Sequence, residues 1–300
     1  MESTFPQTAT TALINISLAW LVGVLASRFW LMKQTSGWQT PVVEKLSTAM
    51  SVSLIACIAG IFLSLWTESA MMGDVAWLNA GPAFVQMLTA THYGHAGAAA
   101  LAFLVIALLI HLRRNGQGVS KTYLVSLTVL LLLVAAARVT IGHAYEHGPL
   151  SVAVLVEWLH LLLMSIWAGV VFVAAWVVLP SVLASELVAT RERAAYLNSM
   201  SNWAAAALAG ILATGAYNAY RVLGSPRQLI EVDYGLVLTF KLCMVVIAIA
   251  LGGFNKFVGL PAATSQRGLR TVIAVLRVES IVLLLVLIAA AVLTSSAPPG

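Results

Sequence analysis

Charged side chains are scarce in this sequence, and their scarcity decides its class. Only 9% of the 300 residues are Asp, Glu, Lys or Arg, whereas 61% are hydrophobic. A water-soluble domain carries about 25% charged residues, so this chain has too few to cover a surface that faces water. The composition therefore predicts an integral membrane protein surrounded by a lipid bilayer.

Cysteine is also rare. The two cysteines, Cys57 and Cys243, both lie within apolar stretches, and no CxxC pair is present. This excludes a disulfide framework, and each thiol is expected to be a small buried side chain. The sequence also lacks a basic patch, because the net charge of +5 is spread between apolar blocks. Nucleic acid is therefore not an expected partner.

Eight apolar segments are each long enough to cross a bilayer, which takes about 20 residues in a helix. They cover about residues 12–32, 43–66, 88–112, 123–143, 151–179, 203–223, 235–258 and 271–294. Backbone polar groups inside lipid must bond within their own segment, so each segment is predicted to be α-helical. Pro180 is expected to end the fifth helix, and Pro261 follows the seventh. The first segment is expected to be an uncleaved helix, because no Lys or Arg precedes it.

Lysine and arginine lie mainly in alternate connections, which sets the predicted orientation. The odd connections carry Lys33 and Lys45, then Arg113, Arg114 and Lys121, then Arg191 and Arg193, and finally Lys256, Arg267 and Arg270. Only the sixth connection, with Arg221 and Arg227, departs from this pattern. Cytoplasmic loops are enriched in these residues, so the odd connections are predicted to be cytoplasmic. The predicted fold is an all-α bundle of eight transmembrane helices with both termini on the periplasmic side.

Histidine is concentrated on one predicted side of the membrane. Five of the six histidines lie near the ends of the third, fourth and fifth segments: His92, His95, His143, His147 and His160. The first two are spaced i,i+3 and the next two i,i+4, so each pair shares a helix face. Met164 follows His160 by one turn, and imidazole with thioether is a ligand set suited to copper. These five histidines and Met164 are the predicted metal ligands.

Ionisable residues inside the apolar segments are expected to support this site or the bundle. Glu157 lies one turn before His160 and is expected to accept a hydrogen bond from a ligating histidine or to pair with Arg138. A second Glu-x-x-His pair is absent from the sequence, which argues against a di-iron bundle. Glu279 is expected to pair with a neighbouring helix. His111, at the opposite helix end, is expected to be an ordinary helix-end residue.

Several short strings follow one another in a fixed order along the second half. They are His160, Trp167 and Gly169; Thr214-Gly215 and Asn218; Tyr234-Gly235 and Lys241; Asn255-Lys256; and Arg270, Arg277 and Glu279. Their order resembles the copper resistance protein D (CopD) family of inner-membrane proteins. The strings Thr91-His92-Tyr93-Gly94 and Gly142-His143-Ala144 resemble pieces of longer members. The family usually has two glycines after the tryptophan, where this chain has Ala168-Gly169.

The resemblance implies a multi-pass protein of the bacterial inner membrane that handles copper, as Cu(I) or Cu(II). It divides the chain into residues 1–150, with histidines at their periplasmic ends, and a CopD-like four-helix domain at 151–300. The predicted function is copper capture at the periplasmic side and movement across the membrane, without enzymatic activity. A periplasmic copper-binding protein similar to CopC is an expected partner. Uncharged helix seams are compatible with a homo-oligomer.

Two other functions fit the same histidines. A membrane oxidoreductase could hold haem b between two histidines from different helices. A copper-delivery chaperone for oxidase assembly would use the same copper ligands. The sequence has neither a P-loop nor a phosphorylated-aspartate motif, which excludes primary active transport by this chain alone.

Overall fold

A computed structural model describes most of the chain. The described residues are 5–32, 39–114, 120–142, 145, 148, 151–184, 190–223, 225 and 227–296. Within these ranges the regular secondary structure is helical throughout, and no strand is present. The predicted all-α architecture is therefore confirmed.

The helices follow the eight predicted segments and extend most of them. In chain order they are α1 (Phe5–Leu31), α2 (Gln39–Met72), α3 (Gly81–Ala90), α4 (His92–Arg113), α5 (Lys121–Val139), α6 (Val152–Val173), α7 (Leu179–Leu183), α8 (Thr190–Val222), α9 (Gln228–Glu231), α10 (Asp233–Phe254), α11 (Leu260–Ala262) and α12 (Gln266–Thr294). A 3₁₀ turn at Trp77–Asn79 precedes α3. Two π-helical turns join α6 to α7 and α10 to α11.

Seven stretches of the described chain are long and apolar enough to cross a membrane. They are Phe5–Leu31, Pro41–Met72, His92–Arg113, Lys121–Val139, Val152–Leu183, Asp233–Ala262 and Gln266–Thr294. The chain is therefore a multi-pass membrane protein. α8, at 33 residues, has the length to span, but its first half is rich in polar and charged residues. The sixth of the eight predicted spans lies in α8 and stays a prediction.

Alternating helix directions bring several helix ends together. Gln7 in α1 donates a hydrogen bond to Glu68 in α2, with Nε2 3.2 Å from Oε2. Arg138 in α5 donates to Thr11 in α1, with Nη2 3.5 Å from Oγ1. We call this side of the bundle the terminal end, because α1 begins there at Phe5. It is the side that the Lys and Arg pattern predicts to be periplasmic.

Short polar side chains begin four of the helices. Thr91, Ser120, Ser151 and Ser265 each accept a hydrogen bond from the backbone N–H three residues later. Such caps satisfy N–H groups that have no partner within the helix. The backbone of Thr91 is extended, with φ −121° and ψ 147°, and separates α3 from α4. The prediction of one helix over about 88–112 is therefore wrong at its start.

The bundle packs around α1. This helix contacts α2 and α5 from the first half and α6 and α12 from the second half. Its backbone lies very close to that of α6: a Cβ placed on Gly169 would be 2.0 Å from the carbonyl oxygen of Ala19, and one on Gly23 would be 2.1 Å from that of Gly169. Glycine is required where two helices approach this closely, because any side chain would force them apart.

Two prolines distort helices without ending them. Pro180 and Pro261 each follow a π-helical turn, Ala174–Val178 and Asn255–Gly259. Proline has no N–H to donate and its ring clashes with the preceding turn, so a wider turn accommodates it. The chain remains helical beyond both prolines, in α7 and α11. The prediction that Pro180 ends the fifth helix is therefore wrong.

The two cysteines lie in different surroundings. Cys57 in α2 is buried, as predicted, whereas Cys243 in α10 is exposed. α10 has few buried residues, so much of its surface faces away from the other helices. The prediction that Cys243 is buried is therefore wrong.

Candidate functional site

His160 lies in α6, about 13 Å along the helix from the terminal end. Its Nδ1 is 2.8 Å from the hydroxyl oxygen of Thr214 in α8. The Thr214 hydroxyl itself donates to the carbonyl oxygen of Gly210 at 2.7 Å. A hydroxyl has one hydrogen, so an oxygen that donates to this carbonyl can only accept from Nδ1–H of His160. The neutral ring is thus held in the tautomer with its lone pair on Nε2.

The Nε2 atom of His160 is available to a ligand. No hydrogen bond joins it to another residue in the described part of the chain. Gly215 in α8 leaves one flank of the ring uncovered, since a Cβ there would lie 3.4 Å from Cε1. Histidines that bind metals usually have the second ring nitrogen held by a hydrogen bond in this way. The geometry therefore suits His160 for a metal ion.

Glu157 brings a carboxylate to the same place, one turn nearer the terminal end. Its Oε2 accepts a hydrogen bond from Nδ2 of Asn218 in α8 at 2.7 Å. Lys241 in α10 is close enough to act electrostatically on both Glu157 and His160. Three helices thus assemble a polar group inside the apolar bundle, called here the His160 cluster: Glu157, His160, Thr214, Asn218 and Lys241.

Lys241 is the cationic group with the largest electrostatic effect on Glu157 within the bundle. A charged group in an apolar medium is costly unless it is paired and hydrogen-bonded, and Glu157 has both a cation and a hydrogen-bond donor. The cluster therefore places an acidic group, an imidazole and an amine together inside the apolar bundle.

Pairing with Arg138 is one of the two roles predicted for Glu157. Arg138 instead donates to Thr11 and acts electrostatically on Tyr93. Tyr93 is also within electrostatic range of Glu68. Among the described residues, the expected Glu157–Arg138 pair does not form. Arg138 belongs to a separate polar group at the terminal ends of α1, α2, α4 and α5.

The chemistry of Thr214 and Asn218 alone predicts no role for them, and that of Lys241 predicts only that it reaches up to the membrane interface. Each is a polar residue inside a helix that packs in the apolar bundle, and that is the signal that could have found them. Their grouping could not be read from the sequence, because it depends on how α6, α8 and α10 rotate against one another.

Met164 lies one helical turn deeper than His160, on the same face of α6. Its side chain is 5% exposed and packs in the hydrophobic core. From the terminal end inward, α6 therefore presents the carboxyl group of Glu157, the imidazole of His160 and the thioether of Met164, in that order.

His92 and His95 occupy the first turn of α4, and both side chains are exposed. The His92 ring stacks on the ring of Tyr145, with centroids 4.2 Å apart and an angle of 11° between the planes. Nε2 of His95 lies 3.3 Å from the carbonyl oxygen of Thr89. These two imidazoles thus lie on the surface of the terminal end and not within the bundle.

The two remaining predicted ligands, His143 and His147, lie outside the described residues. Across the described ranges, no three His, Cys, Asp or Glu side chains are grouped closely enough to hold an ion. The described residues therefore do not complete a three-ligand centre by themselves. Convergence of the histidines on one ion stays a prediction.

His111 is not an ordinary helix-end residue. It is 2% exposed, and its Nδ1 lies 2.7 Å from the hydroxyl of Tyr123. Its Nε2 lies 3.0 Å from the hydroxyl of Ser51. Arg28 donates to the same Tyr123 hydroxyl at 3.2 Å. The imidazole is thus fully engaged in holding α1, α2, α4 and α5 together at the end opposite the terminal end.

Fold and site together define a multi-pass helical membrane protein with an ionisable cluster inside its apolar bundle. The model of the N-terminal domain of copper resistance protein D-like proteins matches residues 1–152, and the model of copper resistance protein D matches residues 194–293. The chain belongs to the copper resistance protein D family.

A curated relative is the copper transport protein CutJ of Bacillus subtilis (strain 168). The two are 25% identical over 303 residues, which is 97% of this chain and 52% of the relative. The chain therefore spans about half the length of the curated relative that it matches. No solved structure matches the chain.

Proposed function

We propose that this chain captures a copper ion at the terminal end and moves it across a bacterial inner membrane, with that end facing the periplasm. Membership of the copper resistance protein D family and the similarity to a copper transport protein support a copper-related function. We infer a transport role and not an enzymatic one. The cargo is a copper ion, Cu(I) or Cu(II).

The observation that carries the proposal is the orientation of His160. Thr214 holds Nδ1–H and leaves the Nε2 lone pair for a ligand. Met164 follows one turn deeper, and its thioether favours Cu(I). An ion bound at His160 would therefore have a soft ligand next along the same helix face.

The exposed histidines of α4 suit an earlier step. His92 and His95 lie on the surface of the terminal end, where an ion arriving from outside would meet them first. We infer that a periplasmic copper-binding protein similar to CopC delivers the ion to this surface. His143 and His147, at the end of α5 in the sequence, are the further ligands proposed for the transfer.

The test is copper binding by a variant of the central ligand. Purified His160→Ala protein is titrated with Cu(I) in competition with a chromophoric chelator. We expect its affinity to fall by at least about tenfold, because changes even in groups that only support a ligand cost 10- to 100-fold. Leu159→Ala, at the neighbouring exposed position of α6, should bind as the wild type does.

Two results would contradict the proposal. Unchanged copper affinity in His160→Ala would show that His160 does not bind the ion. An intense Soret absorption band in freshly purified protein would instead support the bis-histidine haem b function.

A further inference from the structure

A second polar group lies deeper in the bundle, away from the His160 cluster. Glu279, near the middle of α12, is 2% exposed, and Asn255, which begins the second π-helical turn, is 3% exposed. Both lie beside a cavity of about 160 Å³, which is also lined by Trp167, Met200 and Lys256. The cavity is large enough to hold several water molecules.

The polar atoms at this cavity are incompletely bonded. The side chains of Trp167 and Asn255 are within hydrogen-bonding reach of the Glu279 carboxylate. Nevertheless, Oε2 of Glu279 and both polar side-chain atoms of Asn255 have no well-formed hydrogen bond to any described residue. Buried polar groups in proteins are nearly always bonded, so this arrangement requires a further participant.

Among the described residues, no cation forms an ion pair with the Glu279 carboxylate. On its own helix, Arg277 points elsewhere, with its guanidinium 4.8 Å from the centre of the Trp176 ring. α6 contributes Trp167 to the cavity, and α8 contributes Met200 and apolar or hydroxyl side chains, none of them ionisable. The segment after α10 contributes Lys256, which is half-buried and forms no ion pair with Glu279 among the described contacts.

A carboxylate with no cation beside it is very costly in an apolar interior, and a bound proton removes that cost. A protonated carboxyl donates one hydrogen bond, and the unbonded Oδ1 of Asn255 is an acceptor. Asn255 can therefore bond to either state of Glu279, since its Nδ2 can donate to the carboxylate and its Oδ1 can accept from the acid.

The backbone at this place is suited to a change of state. Asn255 starts a π-helical turn, and such turns are frequent at functional sites because their hydrogen bonding is easily rearranged. Gly252 faces Glu279, where a Cβ would lie 3.2 Å from Oε1. A Cβ on Gly253 would meet nothing within 4 Å. The small residues keep space beside the carboxyl group.

We propose that the carboxyl group of Glu279 is a proton-binding site that exchanges its proton with water in the adjoining cavity. While no copper ion is nearby, the group is a neutral acid that donates to Asn255. When a copper ion moves through the bundle, the proton leaves to that water, and the carboxylate balances one positive charge of the ion. The acid forms again, with a proton from the same water, after the ion has left. This inference rests on the proposed function only in its link to copper.

Infrared difference spectroscopy of the purified full chain tests the proton site. We expect a protonated-carboxyl band that grows and disappears as the pH is cycled, and we expect its loss in Glu279→Gln. Glu44→Gln, which changes an exposed carboxylate in α2, is the matched control and should retain the band. A band of unchanged size in Glu279→Gln would overturn the proposal.

A second variant covers the case in which Glu279→Gln does not fold. Asn255→Ala keeps the carboxyl group and removes its acceptor, so the band should remain but shift in frequency. An unshifted band would also overturn the proposal.

Addition of Cu(I) tests the link to copper. In the wild type it should reduce the protonated-carboxyl band, whereas a band unaffected by copper would overturn that link. His160→Ala should keep the pH response of the band and lose the copper response. If His160→Ala binds copper normally while Glu279→Gln loses the band, the proposed copper site fails and the proton site stands.

Discussion

At the scale of single residues, the chemistry of the site depends on which ring nitrogen of His160 carries the proton. Thr214 decides this, since its own hydrogen is used by the carbonyl of Gly210 and only its lone pairs are left for Nδ1–H. A residue that never touches the ion thus prepares the atom that would bind it.

Replacing Thr214 by valine should weaken copper binding by about tenfold, because the imidazole loses the group that fixes its tautomer and orientation. Thr214→Ser keeps the hydroxyl and should restore most of the affinity. A competition titration with Cu(I) measures both. Thr128→Val is the matched control, since Thr128 also donates to a carbonyl within its own helix but lies in α5. Equal affinities for the valine and serine variants would refute the role of the hydroxyl.

The sequence alone predicts a role for His160 and Glu157, because ionisable groups within a membrane span are rarely without function. The sequence did not identify the residues that these side chains contact. Glu157 bonds to Asn218 and Arg138 bonds to Thr11, and both pairings connect residues more than 60 positions apart. Such contacts depend on helix rotation, which a uniformly apolar sequence hardly constrains.

At the scale of helices, hydropathy located the spans but not the irregularities within them. The extended backbone of Thr91 occupies a single position, so it leaves the apolar run uninterrupted while dividing it into two helices. The π-helical turns before Pro180 and Pro261 need no special composition beyond the proline itself. A proline inside an apolar membrane segment is therefore compatible with a π-helical turn as well as with the end of a helix.

Pro261→Ala should relax the turn Asn255–Gly259 towards a regular α-helix, because the new N–H can donate to the preceding turn. We expect the thermal midpoint of the purified protein to rise by about 2–4 °C, the change that corresponds to roughly 1 kcal/mol in a chain of this size. The same change should move Asn255 and shift the carboxyl band of Glu279. Pro82→Ala is a suitable control, since proline in a first helical turn is tolerated. A lower midpoint for Pro261→Ala would contradict this account.

At the scale of the whole molecule, α1 joins the two halves that the family models match separately. It lies against α2 and α5 on one side and against α6 and α12 on the other. The contact with α6 depends on Gly23 and Gly169. Ala168, next to Gly169, is where the sequence departs from the usual glycine pair of the family.

Gly169→Ala should therefore separate α1 from α6, since its Cβ would lie 2.0 Å from the carbonyl oxygen of Ala19. Overpacking of this kind costs about 1–3 kcal/mol, so the thermal midpoint in detergent should fall clearly. Gly81→Ala provides the comparison, because a Cβ there meets nothing within 4 Å. A midpoint equal to that of the wild type would mean that the two helices do not meet as described.

The central position of α1 also bears on how the chain is inserted into the membrane. α1 is synthesised before the other described helices, yet one of its neighbours, α12, is the last of them to be made. Part of the α1 surface must therefore remain against lipid or an insertion chaperone until translation is nearly complete. A chain that stops before α12 would therefore leave that part of the α1 surface without its partner helix.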